Sequence, residues 1–375
     1  MTRVGIVACS RPSFGGTFPY TLSMIEALKL IPDHEYTLFV PAANDAYATL
    51  GLPILTLPPT VSAAWRPIAR ALLPSFGLFQ GVDKVIAPIY SPHLLSSSRP
   101  FVFTLHDLQE RYYPAYFTVA QRVWRHFMNT SMTRAASRII CESQYVKRDI
   151  TQYLRVDERK VVVIPAPPVS AFRDVDPSPS RLAAIKDKFH LGDRFLLYPA
   201  QFWPHKNHRR LVEAFALLAG RHETCQLVFT GQRAREHDRV FARVGELGLH
   251  ARVLGLGYLT TEELAAVYRL ATIVVVPTLF ESISIPVYEA FLAGTAVCAS
   301  NVVALPEQIG DAGLLFDPTS PRDIAEKIET VLCDPRLRLE LTRRGRERIQ
   351  LLTLDHYALQ LREVLDQVQP ASRGG

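Results

Sequence analysis

Two glutamates eight residues apart, Glu281 and Glu289, are the residues of this chain best placed to do chemistry. They lie in IVVVPTLFESISIPVYEAFLAGTA, Ile273 to Ala296. The β-branched run Ile273–Val276 predicts a strand buried on both faces, and Pro277 stops it. A polar loop follows with Glu281, Ser282 and Ser284. Pro286 then suits a first helical position, because its φ is already helical and its missing N–H would have had no partner. The helix should run through Val287, Glu289 and Phe291 and end at Gly294, which tolerates the left-handed conformation. The free amides and dipole of such a helix start favour an anion. With Glu289 expected in the first turn and Glu281 in the loop, both could face one ligand. The residues alone equally allow a solvated Glu281 and a Glu289 that only complements the dipole.

Three other places carry groups that could meet a ligand. Gly15-Gly16 follow the first strand pattern, where adjacent glycines let backbone approach a ligand or simply make a turn. His106-Asp107 leave a strong strand pattern, FVFTL, at the end where ligands of parallel sheets bind; a structural histidine fits the same position. Lys206, in AQFWPHKN between a strand and a helix, is placed to meet a phosphate or to be a solvated surface lysine. No G-x-x-x-x-G-K-[ST] is present, and no G-x-G-x-x-G opens a helix after the first strand of either half. P-loop nucleotide hydrolysis and dinucleotide redox chemistry are therefore disfavoured. The cysteines Cys9, Cys141, Cys225, Cys298 and Cys333 are scattered without paired spacing, which argues for a reducing compartment and against a clustered metal site.

These groups need a scaffold, and the pattern supplies one. Strand candidates at Val4–Ala8, Tyr36–Val40, Ile54–Leu57, Lys84–Ala87, Phe101–Leu105, Arg138–Cys141 and Val161–Ile164 alternate with helical stretches. The longest of these helices is expected over Thr118–Ala136. A second series follows at Phe195–Pro199, Gln226–Thr230, Arg252–Leu256, Ile273–Val276 and Ala296–Ala299. Such alternation predicts α/β architecture with parallel sheets, and 375 residues exceed what one core usually serves. The proline-rich Pro165–Ser180 reads as a linker. Domains are expected over residues 1–170 and 171–353. Beyond Asp317 the chain reads as mainly helical, and residues 354–375 supply a helix with enough apolar periodicity to pack back on the first domain, before a loose Pro370–Gly375 tail.

Hydrophobic content of 48% with 21% charged residues is ordinary for a globular chain. The net charge of +6 is carried by the first 170 residues, while the remainder is neutral. A basic first half suggests an anionic partner; no nucleic-acid motif is present, leaving a phospholipid surface or phosphorylated acceptor. Ser62–Phe76 is amphipathic, which fits either a membrane surface or ordinary packing. No apolar run reaches membrane-span length, and MTRVGIVACS enters a strand pattern directly, so no signal peptide and a cytoplasmic location are expected.

Taken together, E-x7-E (Glu281 to Glu289) inside PTLFESISIPVYEAFLAGTAVCASNVVALPEQIGDAGLLFDP, the Gly15-Gly16 loop, His106-Asp107, CESQYVKRDI around Ser143 and Lys206-Asn207 form an ordered series. The chain resembles the family 4 retaining glycosyltransferases over nearly its whole length. The resemblance implies the GT-B fold, two Rossmann-like domains facing a cleft, with an N-terminal acceptor side and a C-terminal nucleotide-sugar side. It implies that Glu289 receives the ribose hydroxyls and Glu281 the donor sugar. Amides of Ser282, Ile283, Ser284 and Ile285 would hold sugar and diphosphate, and Lys206 would neutralise the leaving diphosphate. His106 would stand beside the transferred sugar or acceptor, Gly15 and Gly16 would let backbone reach the diphosphate, and Thr230-Gly231 with Gly257-Tyr258 would form the nucleobase pocket.

Two departures stand out. The family's arginine five residues before the lysine is Gln201 here, with Arg209 or Arg11 as possible substitutes. The family's E-G-F-G-L-P loop is Glu281-Ser282-Ile283-Ser284-Ile285-Pro286. HDLQERYYP and YPAQFWPHKNH resemble a bacterial subgroup associated with mannose-type or deoxy-sugar transfer onto surface polysaccharides. The implied function is retaining, metal-independent sugar transfer without a cofactor. The donor would be a nucleotide sugar, GDP-mannose type favoured over UDP-sugar, and the acceptor a glycan or lipid-linked glycan at the cytoplasmic face of the inner membrane. Two rivals share the fold: a nucleotide- or glycan-binding protein without transfer, and a sugar-nucleotide epimerase.

Overall fold

The computed structural model describes residues 1–12, 16–41, 45–58, 78–168, 170–173 and 175–369. Gly15, the amphipathic Ser62–Phe76 segment and the Pro370–Gly375 tail lie outside the described residues. The chain forms two compact units, Met1–Pro167 with Thr353–Gly375, and Pro168–Leu352.

The first unit is built on β1 (Thr2–Val7), β2 (His34–Pro41), β3 (Ile54–Leu57), β4 (Lys84–Ala87), β5 (Phe101–Thr104), β6 (Arg138–Cys141) and β7 (Val161–Val163). Their spatial order is β3-β2-β1-β4-β5-β6-β7, with parallel pairing such as Val4 beside both Tyr36 and Lys84. Successive strand residues serve opposite faces, as the pleat requires. Ile6, Ile86, Val102 and Ile140 join one core cluster, while Val7, Val85, Phe103 and Ile139 join another. Both faces are therefore covered, which is why these strands read as unbroken apolar runs. The Thr17–Lys29 helix packs on the first cluster, and so does the Leu354–Asp366 helix through Tyr357, Leu361 and Leu365. Its end is tied down by the buried Lys84, whose Nζ donates to the Leu365 carbonyl at 2.7 Å.

The second unit has β8 (Phe195–Pro199), β9 (Gln226–Thr230), β10 (Val253–Gly255), β11 (Ile273–Val276), β12 (Ala296–Ser300) and β13 (Gly313–Phe316). Their order is β10-β9-β8-β11-β12-β13, again parallel. β11 is buried throughout, as its β-branched run predicts, and so is β12.

One strand lies outside the expected series, and two expectations are corrected. β13 closes an edge of the second sheet; GLLF is short, three of its four residues are half-buried, and it lacks the β-branched signature that marks β11. The Pro165–Ser180 stretch is more than a linker, since it holds a short Ser170–Arg173 helix whose Phe172 is buried edge-on against Tyr268. The helix after β11 starts one residue earlier than expected, at Ile285, so Pro286 is its second residue and Glu289 lies past the first turn. Among the described residues no helix is long and apolar enough to cross a membrane.

In each sheet the chain reverses its direction of winding once, between β1 and β4 and between β8 and β11. Ligands of open parallel sheets bind beyond the strand ends at such a point. The loops that follow those four strands decide what chemistry is available.

Candidate active site

In the second unit the loops after β8 and β11 are laced together. The Leu279 amide donates to the His205 carbonyl at 2.7 Å, and Thr278 Oγ1 donates to the same oxygen at 3.1 Å. Asn207 adopts a left-handed backbone, φ 60°, open to asparagine but costly for most side chains. From there its buried amide donates to the carbonyls of Pro277 at 2.8 Å and Pro318 at 2.9 Å. These ties place Lys206 and Glu281 together, with Nζ 2.6 Å from Oε2. The two side chains are 19% and 16% exposed, so the pair is partly shielded from water. Tyr198 holds the lysine's own carbonyl through its hydroxyl at 2.9 Å. Burial and the neighbouring Lys206 push the His205 imidazole down to about 3, so it is neutral and Lys206 carries the positive charge of the turn.

The helix start beside this pair is braced from outside. Gln308 accepts from the Ser284 amide at 2.8 Å and donates to the Ser284 carbonyl at 2.7 Å. The Ser284 amide is thus committed within the protein, and the amides of Ser282, Ile283 and Ile285 are the ones left for a ligand. Ser284 Oγ is buried without a hydrogen-bond partner. The helix ends at Gly294 with φ 72°, the left-handed C-terminal conformation the sequence suggests.

Glu289 is buried and accepts from the Tyr268 hydroxyl at 2.6 Å. Burial pushes its carboxyl up to about 7, against the opposing hydrogen bond from Tyr268. The group therefore exchanges its proton near neutrality.

On the far side of β8, Gly231 has φ 120° and donates its amide to the Gly257 carbonyl at 2.8 Å. A Cβ there would stand 2.7 Å from the Ala200 carbonyl oxygen, so only glycine fits. Tyr258, next in line, is 79% exposed and offers an open aromatic face. Gln201 uses its carbonyl to accept from Trp203 Nε1 at 2.7 Å. Arg209 lies 3.4 Å from Glu213, one turn along its own helix.

In the first unit, the loops after β4, β5 and β6 meet at His106. Its Nδ1 lies 2.8 Å from Glu142 Oε2 and its Nε2 lies 3.0 Å from the Pro88 carbonyl. Tyr20 packs edge-on against the ring at 4.6 Å between centroids. Burial lowers the histidine's proton affinity, but the Glu142 bond and charge, Asp107 and the Pro88 carbonyl together raise it above the ordinary value. Asp107 accepts from the Gln109 amide and from Arg125 at 2.9 Å. Gly16 caps the Thr17–Lys29 helix in a right-handed conformation, and among the described residues nothing stands close enough to require glycine there.

Comparison with known proteins bears directly on this arrangement. Residues 14–167 match the family described as Glycosyltransferase Family 4, and residues 183–348 match Glycosyl transferases group 1. The chain belongs to glycosyltransferase family 4. This family 4 chain is 31% identical over 209 residues to the serotype-specific mannosyltransferase WbdA of Escherichia coli, covering 55% of the chain and 26% of that protein. It thus spans about a quarter of WbdA's length. It is 30% identical over 263 residues to the O-antigen chain mannosyltransferase B of Escherichia coli, covering 68% of this chain and 66% of that one. The O-antigen chain mannosyltransferase RfbU of Salmonella typhimurium is 24% identical over 342 residues, 87% and 90% of the two chains. Among solved structures, Anabaena HepE in complex with UDP and glucose superposes with a TM-score of 0.77 at 20% identity, over 98% of this chain and 100% of that one. At that identity the likeness speaks for the fold, which is GT-B.

The family 4 chain also uses residues that lie inside the motif stretches but receive no role of their own from the resemblance. Glu142, Asn207 and Gln308 each fix a residue of the site, yet none sits in a spacing that announces it. Asn207 carried the one usable signal, an asparagine between a turn and a helix, where a left-handed residue is common.

Proposed function

We propose that this chain transfers a mannose-type sugar from a nucleotide-diphosphate donor to a glycan or lipid-linked glycan during surface-polysaccharide synthesis, with retention of anomeric configuration and without a metal. The observation that carries the reading is Lys206 held 2.6 Å from Glu281 beside a helix start with uncommitted amides. A diphosphate entering here competes with Glu281 for the ammonium group. As the glycosidic bond lengthens, negative charge grows on the leaving diphosphate, and Lys206 with the Ser282, Ile283 and Ile285 amides stabilises it. Glu281, released from the lysine, accepts hydrogen bonds from the sugar. Glu289 accepts from the ribose hydroxyls, and the base lies near Gly231 and Tyr258. The acceptor hydroxyl attacks on the face the diphosphate leaves, and the diphosphate takes its proton. Gln201 is occupied by Trp203, so Lys206 carries the cationic share alone on this loop.

The mannose preference rests on the names of the relatives, WbdA and RfbU among them. Work at the cytoplasmic membrane face rests on the positive charge of the first 170 residues. Flotation with anionic vesicles tests it, and a protein that stays at the bottom of the gradient argues against it. The transfer reading is tested by incubating the protein with GDP-mannose and a panel of UDP-sugars, with and without lipid-linked acceptors. Acceptor-dependent release of nucleoside diphosphate is expected. Binding of GDP or UDP without release would favour a binding protein, and an altered sugar nucleotide without acceptor would favour an epimerase.

A further inference from the structure

In the first unit, both ring nitrogens of His106 are spoken for. The Pro88 carbonyl, 3.0 Å from Nε2, can only accept, so Nε2 carries a proton. Glu142 Oε2, 2.8 Å from Nδ1, either accepts from an N–H or, if protonated, donates to the ring. In both cases no lone pair of the imidazole is left to take a proton from a substrate. Glu142 is 2% exposed, and its other oxygen, Oε1, is buried with no hydrogen-bond partner. The carboxylate's one hydrogen bond is therefore spent on the histidine. Sequence gives no hint of this, since Glu142 is 36 residues away and reaches His106 only because β5 and β6 pair in register, Thr104 beside Ile140.

We propose that Glu142 is a positioning residue that holds His106 as a doubly donating cation, so that the first unit offers its substrate a fixed charge and ring edge and not a base. The inference rests on the transferase reading for its role in turnover. The groups around the ring agree with it. Asp107 follows His106 directly, Tyr20 packs from the Thr17–Lys29 helix, and the Pro88 carbonyl closes the third side. Tyr357, from the returning Leu354–Asp366 helix, lies behind Tyr20 and Glu142 and is neutral. The two charges that act on the ring, Glu142 and Asp107, are anionic and favour the imidazolium, although Asp107 is itself paired with Arg125. Because the leaving diphosphate can accept the acceptor's proton, the first unit has no need to supply a base.

The direct test is heteronuclear NMR of the full chain labelled with 15N-histidine, following the imidazole shifts of His106 from pH 5 to 9. A His106→Asn spectrum gives the assignment. The wild-type protein is expected to show both nitrogens protonated at pH 7, with titration displaced upward from that of free histidine. Glu142→Gln, which keeps the shape and removes the charge, is expected to bring the titration down and to expose one unprotonated nitrogen at pH 7. In turnover the same variant should lose about 10-fold in kcat, the scale of one charge-assisted hydrogen bond, with donor KM little changed. Its pH profile should move to lower pH. An unprotonated ring nitrogen in the wild-type spectrum at pH 7, or an unmoved titration in Glu142→Gln, overturns the proposal. If the spectra behave as expected and no nucleotide sugar is consumed by the wild type, the transferase reading fails while the Glu142 assignment stands.

Discussion

Lys206 and Glu281 are 75 positions apart and meet at 2.6 Å because β8 and β11 are neighbours where the second sheet reverses its winding. The lysine leaves one strand, the glutamate the other, and three hydrogen bonds to backbone carbonyls hold the two loops in register at Pro277 and His205. Without a ligand the two charges satisfy one another; with a diphosphate present the lysine has a better partner.

Glu281→Gln removes the carboxylate that pairs with Lys206 and is proposed to receive the sugar. Affinity for free GDP or UDP should hold or rise, while kcat falls about 100-fold as a transition-state contact is lost. Calorimetry and steady-state rates on one preparation check both halves. A parallel loss of nucleotide affinity and no loss of kcat would assign Glu281 to nucleotide binding instead.

Glu289 makes stability and binding depend on pH in opposite senses. Its carboxyl is raised from the ordinary 4.5 to about 7, so the folded state prefers the proton. The resulting stability is fully present below pH 4.5 and is lost as pH rises through 7. On the proposed role the ribose donates to the ionised form, so nucleotide affinity should strengthen over the same rise. Glu289→Gln should flatten both profiles and weaken binding about 10-fold at pH 8. Melting curves and calorimetry at pH 6 and 8 measure this.

Asn207→Ala should destabilise the protein by about 3 kcal/mol, summing left-handed strain with two buried carbonyls left without a donor. Arg209→Ala, at an exposed pair, should stay within about 0.5 kcal/mol. Urea denaturation of the two variants compares them directly.

Gly231→Ala places a Cβ 2.7 Å from the Ala200 carbonyl at φ 120°. The Ala200–Gln201 backbone must shift, so the variant should lose nucleotide affinity as well as about 2 kcal/mol of stability. Unchanged affinity by calorimetry would separate this turn from the nucleobase site.

Much of the framework could be read before the structure. Ile273–Val276 begins and ends as its β-branched run predicts, and Gly294 stops the following helix in the expected left-handed conformation. The Thr118–Ala136 pattern is a helix over Val119–Ala135, with Thr118 and Gln121 forming a reciprocal cap. What escaped sequence reasoning depends on which strands lie side by side. The Glu142–His106 bond needs β5 beside β6, and the Gln308 brace on Ser284 crosses 24 residues. β13 has too few buried residues to stand out, and the helix opens a residue early, at Ile285, after a Ser284 whose backbone is held by Gln308 and whose hydroxyl makes no capping bond. Spacing marks the ends of elements well; it does not say which ends meet.

The central claim is that Lys206 stabilises a leaving nucleoside diphosphate. The measurement is nucleoside diphosphate release by wild type and Lys206→Ala at saturating sugar nucleotide and acceptor, each normalised to folded protein by its melting curve. Release should fall by about 100- to 1,000-fold in the variant, the usual loss for one preorganised charge-stabilising group. Equal release at saturation from the two proteins would contradict the account.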